Sequence, residues 1–229
     1  RFVDPSDPQA FVDASDENTR AWYVETLPNP KLAVCPMADV AAAGRPMGIP
    51  LIVDNTAAPL IARPFDHGAA IIVYSATKYI GGHGTTIGGL IVDGGNFDWE
   101  ALPERQPNLN TPDASYHGAV WTQAAKPLGP IAYILRARTI LLRDLGSALS
   151  PFNAFMLLQG METLPLRMER HCENAEKVAA FLEKHPAVNW VNYAALPTSE
   201  HYDTCQRICG GKAAGIISFG IEGGITAGS

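Results

Sequence analysis

The most informative pattern in the sequence lies at residues 74–89, Y-S-A-T-K-Y-I-G-G-H-G-T-T-I-G-G. The run just before them, A-I-I-V at 70–73, is apolar and mostly β-branched, which predicts a buried strand. Ser75, Thr77 and Lys78 follow this run directly, and the glycine-dense stretch after them predicts a loop. The sequence therefore places two hydroxyl groups and an amine at the end of a buried strand.

The residue types in this segment point to a specific cofactor. We expect a lysine directly after a buried strand to be partly desolvated, and desolvation disfavours the charged ammonium form. The neutral amine of Lys78 can then attack an aldehyde, while the hydroxyls of Ser75 and Thr77 can donate to phosphate oxygens. Together these features predict pyridoxal 5′-phosphate (PLP), held as a Schiff base on Lys78. Taken alone, the same pattern also fits a lysine on the protein surface.

Tyr74 and Lys78 allow a second interpretation, because the spacing Tyr-x-x-x-Lys is similar to that of the short-chain dehydrogenases. There the tyrosine donates a proton and the lysine holds the nicotinamide ribose. The pair requires a helix, in which residues i and i+4 share one face. The strand signal up to Tyr74 and the glycines after Lys78 argue against a helix. An NAD(P)-dependent oxidoreductase is therefore the second alternative.

Asp54 is a candidate because it closes another apolar run, residues 49–53, which predicts a buried strand. A strand over 21–24 and a helix over 37–43 precede it, and strand, helix and strand together predict a parallel pair. A carboxylate at the end of a buried strand can pair with a protonated pyridine nitrogen, although an isolated aspartate there also fits a turn or a helix cap. Neighbouring strands would bring Asp54 and Lys78 to one edge of the sheet.

Asn29 is a further candidate, in the loop after the first predicted strand. The segment L-P-N-P, residues 27–30, places it between two prolines, which restrict the backbone to extended conformations. Ligands in open α/β sheets usually bind at this end of the strands. Asn29 is therefore either a ligand contact or a turn asparagine.

Composition limits the classes of function. The chain has 229 residues, of which 47% are hydrophobic and 17% charged, as is usual for a packed enzyme. A net charge of −6 offers no basic surface for nucleic acid, and no apolar run is long enough to cross a membrane. The four cysteines and six histidines show no metal-ligand spacing, so we expect no metal site. We expect a cytoplasmic enzyme.

Periodicity predicts the remaining elements. Apolar residues at helical spacing predict an amphipathic helix over 131–145 and a long helix over 163–184. Strands are predicted at 88–93, 188–193 and 216–221.

Four segments carry a family likeness: V-E-T-L-P-N-P (24–30), L-I-V-D-N-T (51–56), S-A-T-K-Y-I-G-G-H-G-T-T-I-G-G (75–89) and S-P-F-N-A-F-M-L-L-Q-G-M-E-T-L-P-L-R-M-E-R-H (150–171). They resemble the Cys/Met-metabolism family of PLP-dependent enzymes. The likeness extends over nearly the whole chain and is greatest to members that act on O-acetylhomoserine, especially across 81–99. It implies the PLP-dependent transferase fold type I, an α/β fold with a mostly parallel sheet, flanking helices and a smaller C-terminal α/β domain.

The resemblance also implies a role for each candidate. Lys78 would carry the cofactor, and Asp54 would bind its pyridine nitrogen. Ser75 and Thr77 would hold its phosphate. Asn29 would lie near its phenolic oxygen and the substrate carboxylate.

The implied reaction is γ-replacement on O-acetyl-L-homoserine with sulfide or a thiol, which gives homocysteine or methionine plus acetate. Three other activities of the family stay open: O-succinylhomoserine sulfhydrylation, cystathionine synthesis and γ-elimination of methionine. A non-catalytic fragment is the alternative outside the enzymes.

The resemblance divides the chain into two domains. Residues 1–150 would form the large PLP-binding domain, and residues 151–229 would begin the smaller C-terminal domain. The family's glycine-rich phosphate loop would precede the position of Arg1, and its substrate-binding arginine would follow that of Ser229, so we expect a longer protein. The resemblance also implies a homo-oligomer, a dimer or tetramer, with active sites shared between subunits.

Overall fold

The computed structural model describes residues 1–224 and residue 226. Its principal sheet has four strands in the order β1 (Trp22–Glu25), β2 (Leu51–Asp54), β3 (Ile71–Ser75) and β4 (Gly89–Asp93). β1, β2 and β3 run parallel to one another, and β4 is antiparallel to β3. The prediction of a mostly parallel sheet is therefore confirmed.

β2 and β3 lie between two apolar layers, whereas alternate residues of β1 and most residues of β4 are exposed. Trp22 and Val24 of β1 pack into a core on one face, whereas Ile71 of β3 packs with Trp99 and Trp121 on the other. Because alternate side chains of a strand point to opposite faces, apolar residues are needed at successive positions when both faces are covered. This explains why the sequences of β2 and β3 are continuous apolar runs.

The helices up to residue 150 are mostly short. They are α1 (Pro8–Asp13), α2 (Met37–Gly44), α3 (Pro107–Asn110), α4 (Trp121–Ala125), α5 (Ala132–Arg136) and α6 (Arg143–Leu145), with 3₁₀ turns at Arg45–Met47, Pro64–His67, Pro103–Arg105, Ala114–Tyr116 and Lys126–Leu128. A π-helical segment, Ala137–Leu142, joins α5 to α6. The helix predicted over 131–145 thus has the expected extent, but a wider turn interrupts its α-helical geometry.

α2 connects β1 to β2 and packs against them in the same core. It buries Met37, Val40, Ala41 and Gly44, which recur at helical spacing. A Cβ atom on Gly44 would lie 2.7 Å from the carbonyl oxygen of Ile49, so only glycine lets the helix end this close to the chain entering β2.

The described part of the chain after residue 150 forms three helices and a two-stranded sheet. It contains α7 (Pro151–Glu162), α8 (Leu164–Glu183), β5 (Val188–Asn192), α9 (Tyr202–Cys209) and β6 (Ser218–Ile221). β5 and β6 pair antiparallel. The predicted long helix and both predicted strands are confirmed to within two residues, whereas the sequence patterns do not predict α7 or α9.

One core joins the two parts of the chain. Leu157 of α7 and Met168 of α8 belong to the same apolar cluster as Val24 and Val53 of the sheet. α7 and α8 therefore have a fixed relation to the strands. The domain division at residue 150 stays a prediction.

All four cysteines are free and buried. Cys35 lies between β1 and α2, Cys172 lies on α8, and Cys205 and Cys209 lie on α9. Burial raises the pKa of Cys35 to about 12, with a smaller contribution from the charge of Asp39. This thiol therefore stays protonated at neutral pH.

Candidate active site

A cavity of about 610 Å³ lies at the carboxyl ends of β1, β2 and β3. Asp54 and Ser75 end β2 and β3, Asn29 lies in the loop after β1, and Lys78 lies in the turn after β3. All four residues line the cavity. Ligands in open α/β sheets bind at this edge. The structure thus brings together four of the residues predicted for the site.

Two donors hold the carboxylate of Asp54. The backbone N–H of Thr56 donates to Oδ1 at 2.9 Å, and the hydroxyl of Tyr23 donates to Oδ2 at 2.9 Å. Because each oxygen accepts a hydrogen bond, the carboxyl group has a fixed orientation. Asp54 therefore presents oriented oxygen atoms to the cavity, where a cationic ring nitrogen could pair with them.

Glu25 supplies a second carboxyl beside the first. It pairs in register with Asp54 across β1 and β2, and it lines the same cavity. Burial, followed by the negative charge of Asp54, raises the pKa of Glu25. Burial and the hydrogen bond to Asp54 raise the pKa of Tyr23, so its phenol stays protonated. Of the two neighbouring carboxyls, Glu25 is therefore the one whose charge is disfavoured.

Ser75 and Thr77 lie in different environments. Ser75 lines the cavity, and its backbone N–H donates to Oγ1 of Thr56 at 2.7 Å. The hydroxyl of Thr77 accepts from the backbone N–H of Gly88 at 3.0 Å and donates to its carbonyl oxygen at 3.3 Å. Because a hydroxyl has one proton to donate, Thr77 must turn away from Gly88 to donate to a phosphate. Its role as a phosphate ligand stays a prediction.

The turn after β3 places Lys78 on the cavity wall. The expected partial desolvation is wrong, because Lys78 is an exposed residue. The turn leads the chain out of the buried sheet, so neighbouring side chains do not cover the lysine. Tyr74 lies within β3, where its hydroxyl accepts from Nδ2 of Asn55 at 3.1 Å. Tyr74 and Lys78 share no helix face, and the dehydrogenase alternative is therefore wrong.

Arg167 of α8 ties this turn to the C-terminal helices. Its Nη1 donates to the carbonyl oxygen of Tyr79 at 2.7 Å, and its Nη2 donates to the carbonyl oxygens of Gly160 at 2.7 Å and Ile80 at 3.3 Å. One guanidinium thus connects the two residues after Lys78 with the end of α7.

Glycines allow the loop after Lys78 to pack closely against α7 and Arg167. A Cβ atom on Gly160 would lie well within 3.0 Å of the carbonyl oxygen of Gly81, a distance that real Cβ atoms do not show. A Cβ atom on Gly82 would collide with the guanidinium of Arg167. The glycine loop therefore packs directly on α7 and on the arginine.

Sequence patterns missed several cavity residues, namely Glu25, Thr56, Tyr79, Arg167 and His171. The rings of Tyr79 and His171 lie 5.4 Å apart, so α8 also contacts the lysine turn through them. Arg167 and His171 lie within the segment 150–171 that carries the family likeness, which was the available signal.

The residues on this cavity fit PLP. Asp54 offers an anion for a protonated pyridine nitrogen, Lys78 offers an amine for the aldehyde, and Ser75 offers a hydroxyl for the phosphate. The volume is in the range of small-molecule sites, which is roughly 300–1,000 Å³.

An α/β sheet that places an aspartate and a lysine in one cavity at its carboxyl edge is typical of PLP-dependent enzymes. Residues 1–229 match the family model described as Cys/Met metabolism PLP-dependent enzyme. The chain belongs to this family, whose cofactor is PLP, and the predicted family, fold class and cofactor are confirmed.

The chain's sequence relatives are consistent with membership of this family. The chain is 51% identical to the O-acetyl-L-homoserine sulfhydrylase of Leptospira meyeri, over 98% of this chain and 52% of the relative. It is 46% identical to the homocysteine/cysteine synthase of Saccharomyces cerevisiae, over 97% of this chain and 50% of the relative. The chain thus spans about half the length of the curated relatives it matches.

Solved structures give the same fold. An O-acetylhomoserine (thiol)-lyase structure from Campylobacter jejuni, which contains N′-pyridoxyl-lysine-5′-monophosphate, matches with a TM-score of 0.88 and 36% identity over 97% of this chain and 54% of that chain. The O-acetylhomoserine sulfhydrylase of Wolinella succinogenes matches with a TM-score of 0.82 and 34% identity over 97% and 60%. In the part of the chain that the structure describes, no helix combines the length and apolar character needed to span a membrane.

Proposed function

We propose that the protein catalyses a PLP-dependent γ-replacement in which sulfide or a thiol replaces the acetate of O-acetyl-L-homoserine. The products are homocysteine or methionine, together with acetate. One observation carries the proposal: Asp54 and Lys78 line one cavity in a chain that is 51% identical to an O-acetyl-L-homoserine sulfhydrylase.

Each candidate residue has a separate role in this proposal. When bound, PLP supplies an electron sink that stabilises negative charge on substrate carbon atoms. Asp54 binds the ring nitrogen, and Ser75 with Thr77 binds the phosphate. Lys78 holds the cofactor covalently and moves protons on the substrate. Asn29, at the β1 side of the cavity, contacts the phenolic oxygen and the substrate carboxylate.

The Lys78→Ala variant tests the covalent anchor. We expect it to lose both turnover and the visible absorbance of bound cofactor, and we expect borohydride reduction of the wild type to mark Lys78 in a peptide map. Lys126→Ala is the matched control, because Lys126 is an exposed lysine that pairs with Glu100 at 3.4 Å. A coloured and active Lys78→Ala variant, beside an unchanged control, would overturn the proposal.

A substrate panel separates the activities of the family. We expect acetate release from O-acetyl-L-homoserine with sulfide to exceed turnover of O-succinylhomoserine with either sulfide or cysteine. We also expect methionine alone to give no methanethiol. Preference for O-succinylhomoserine, or γ-elimination of methionine, would assign the protein to another activity of the same family.

We propose a homo-oligomer whose subunits share active sites. The surface of α7 supports this, since Phe152, Phe155 and Leu158 are 68%, 53% and 61% exposed. Exposed apolar patches of this kind mark interaction surfaces. Analytical ultracentrifugation should show a dimer or tetramer that Phe155→Ser weakens, and a monomeric active enzyme would contradict this.

We place the enzyme in the cytoplasm, and its four free cysteines support a reducing compartment. Fractionation of the producing cells tests this location. Activity recovered outside the cytoplasmic fraction would contradict it.

A further inference from the structure

Tyr23 approaches the site from a neighbouring groove, on the β1 side of the sheet. It pairs in register with Ile52, so Asp54 lies two residues further along β2 on the same face. Side chains of strands lean along the strand direction. The hydroxyl of Tyr23 therefore reaches Oδ2 of Asp54 diagonally, at 2.9 Å.

Two carboxyls end adjacent strands, and their surroundings make them unequal. Asp54 accepts hydrogen bonds from Tyr23 and from the backbone of Thr56. Glu25, directly opposite in register, feels the charge of Asp54. Pairs of titratable groups whose surroundings separate their proton affinities take different chemical roles. A protonated ring nitrogen needs the carboxylate that has no proton.

We propose that Tyr23 is a positioning residue for Asp54: its hydroxyl orients the Asp54 carboxylate so that Asp54, rather than the neighbouring Glu25, meets the ring nitrogen of PLP. This inference rests on the proposed function of Asp54 and assigns a residue that does not line the cofactor cavity. The other ionisable residues around the cavity are Glu25 on β1, Lys78 and Tyr79 after β3, and Arg167 and His171 on α8.

Tyr23→Phe in the full-length holoenzyme tests the inference, because it removes the hydroxyl and keeps the ring. We expect the dissociation constant of PLP to rise roughly tenfold, since hydrogen bonds to charged groups are among the stronger ones. Without this donor, the Asp54 carboxylate is held by the backbone N–H of Thr56 alone, so its orientation towards the ring nitrogen becomes less fixed. Tyr133→Phe is the matched control, because Tyr133 stacks on Trp99 and does not line the cofactor cavity.

A double-variant cycle shows whether Tyr23 acts through Asp54. If it does, adding Tyr23→Phe to Asp54→Asn should weaken PLP binding no further. Equal PLP affinity in Tyr23→Phe and Tyr133→Phe would overturn the inference, as would additive effects in the double variant. Failure of the proposed function is recognised separately, by cofactor and activity retained in Lys78→Ala.

Discussion

The two sides of the candidate site are built in different ways. On the Asp54 side, paired strands and the Tyr23 hydroxyl fix the carboxylate, all within β1, β2 and the residues that follow β2. On the Lys78 side, a turn is held by Arg167, which is 88 residues away from Tyr79 in sequence. The ring-nitrogen side therefore depends on local strand pairing, whereas the amine side depends on the packing of α7 and α8.

Asp54→Asn should have the largest effect, because it removes the charge on the Asp54 side. Removing one partner of a hydrogen-bonded charge pair costs about 2–5 kcal/mol. We expect the transition-state stabilisation measured by kcat/KM to fall by this amount. Asp66→Asn is the control, since Asp66 forms an exposed pair with Arg63. An Asp54→Asn variant with wild-type kcat/KM would show that the ring nitrogen binds elsewhere.

Gly160→Ala should damage the Lys78 side through packing alone. The added methyl group collides with the backbone of Gly81, and overpacking of this kind costs about 1–3 kcal/mol. We expect urea unfolding to show this loss, together with weaker PLP binding. At Gly89 an added Cβ would lie 3.5 Å from the nearest atom, so Gly89→Ala is the steric control. Equal stability of the two variants would contradict the close contact.

Arg167→Met should have a smaller effect on the same side. It keeps most of the side-chain length but leaves the carbonyl groups of Tyr79 and Gly160 without this donor. The expected loss is about 1–2 kcal/mol in unfolding free energy, with a lower kcat. Arg170→Met on the same helix removes only an exposed pair with Glu173 and should change stability by less than about 1 kcal/mol. Equal losses in the two variants would show that Arg167 does not hold the turn.

Glu25→Gln should have the smallest effect, and its sign depends on pH. A carboxyl whose pKa is raised on folding destabilises the native state once it ionises, so wild type loses stability as pH rises above the ordinary glutamate pKa. In the apoenzyme, the stability of the variant relative to wild type should therefore increase between about pH 4 and pH 7, by less than about 1 kcal/mol. Urea midpoints measure this gain, with exposed Glu104→Gln as the control. A gain that falls with rising pH would contradict the raised pKa.

Strands and the long helix α8 could be predicted because their burial has a regular period. Two buried faces give β2 and β3 continuous apolar runs, and α8 buries one face, including Leu164, Met168 and Cys172. α7 could not be predicted in this way. Its Leu157 is buried while Phe152 and Phe155 are exposed, so apolar residues occur on several sides and no polar face reveals the helix.

The same distinction applies to the site. Asp54 and Ser75 could be predicted because each ends a strand, and parallel strands bring such ends together. Arg167 could not be, because its contacts with the lysine turn exist only after α8 packs on the sheet. The exposure of Lys78 was also unpredictable, since it depends on the direction that the turn takes.

The buried cysteines make the two sides separately observable. Cys35 follows the Asn29 loop on the Asp54 side, while Cys172 shares α8 with Arg167. Burial raises the pKa of both thiols, so neither reacts readily with an alkylating reagent in the native protein. The rate at which each becomes alkylated therefore reports how readily its own surroundings open, and one labelling time course can compare the two sides without any introduced probe.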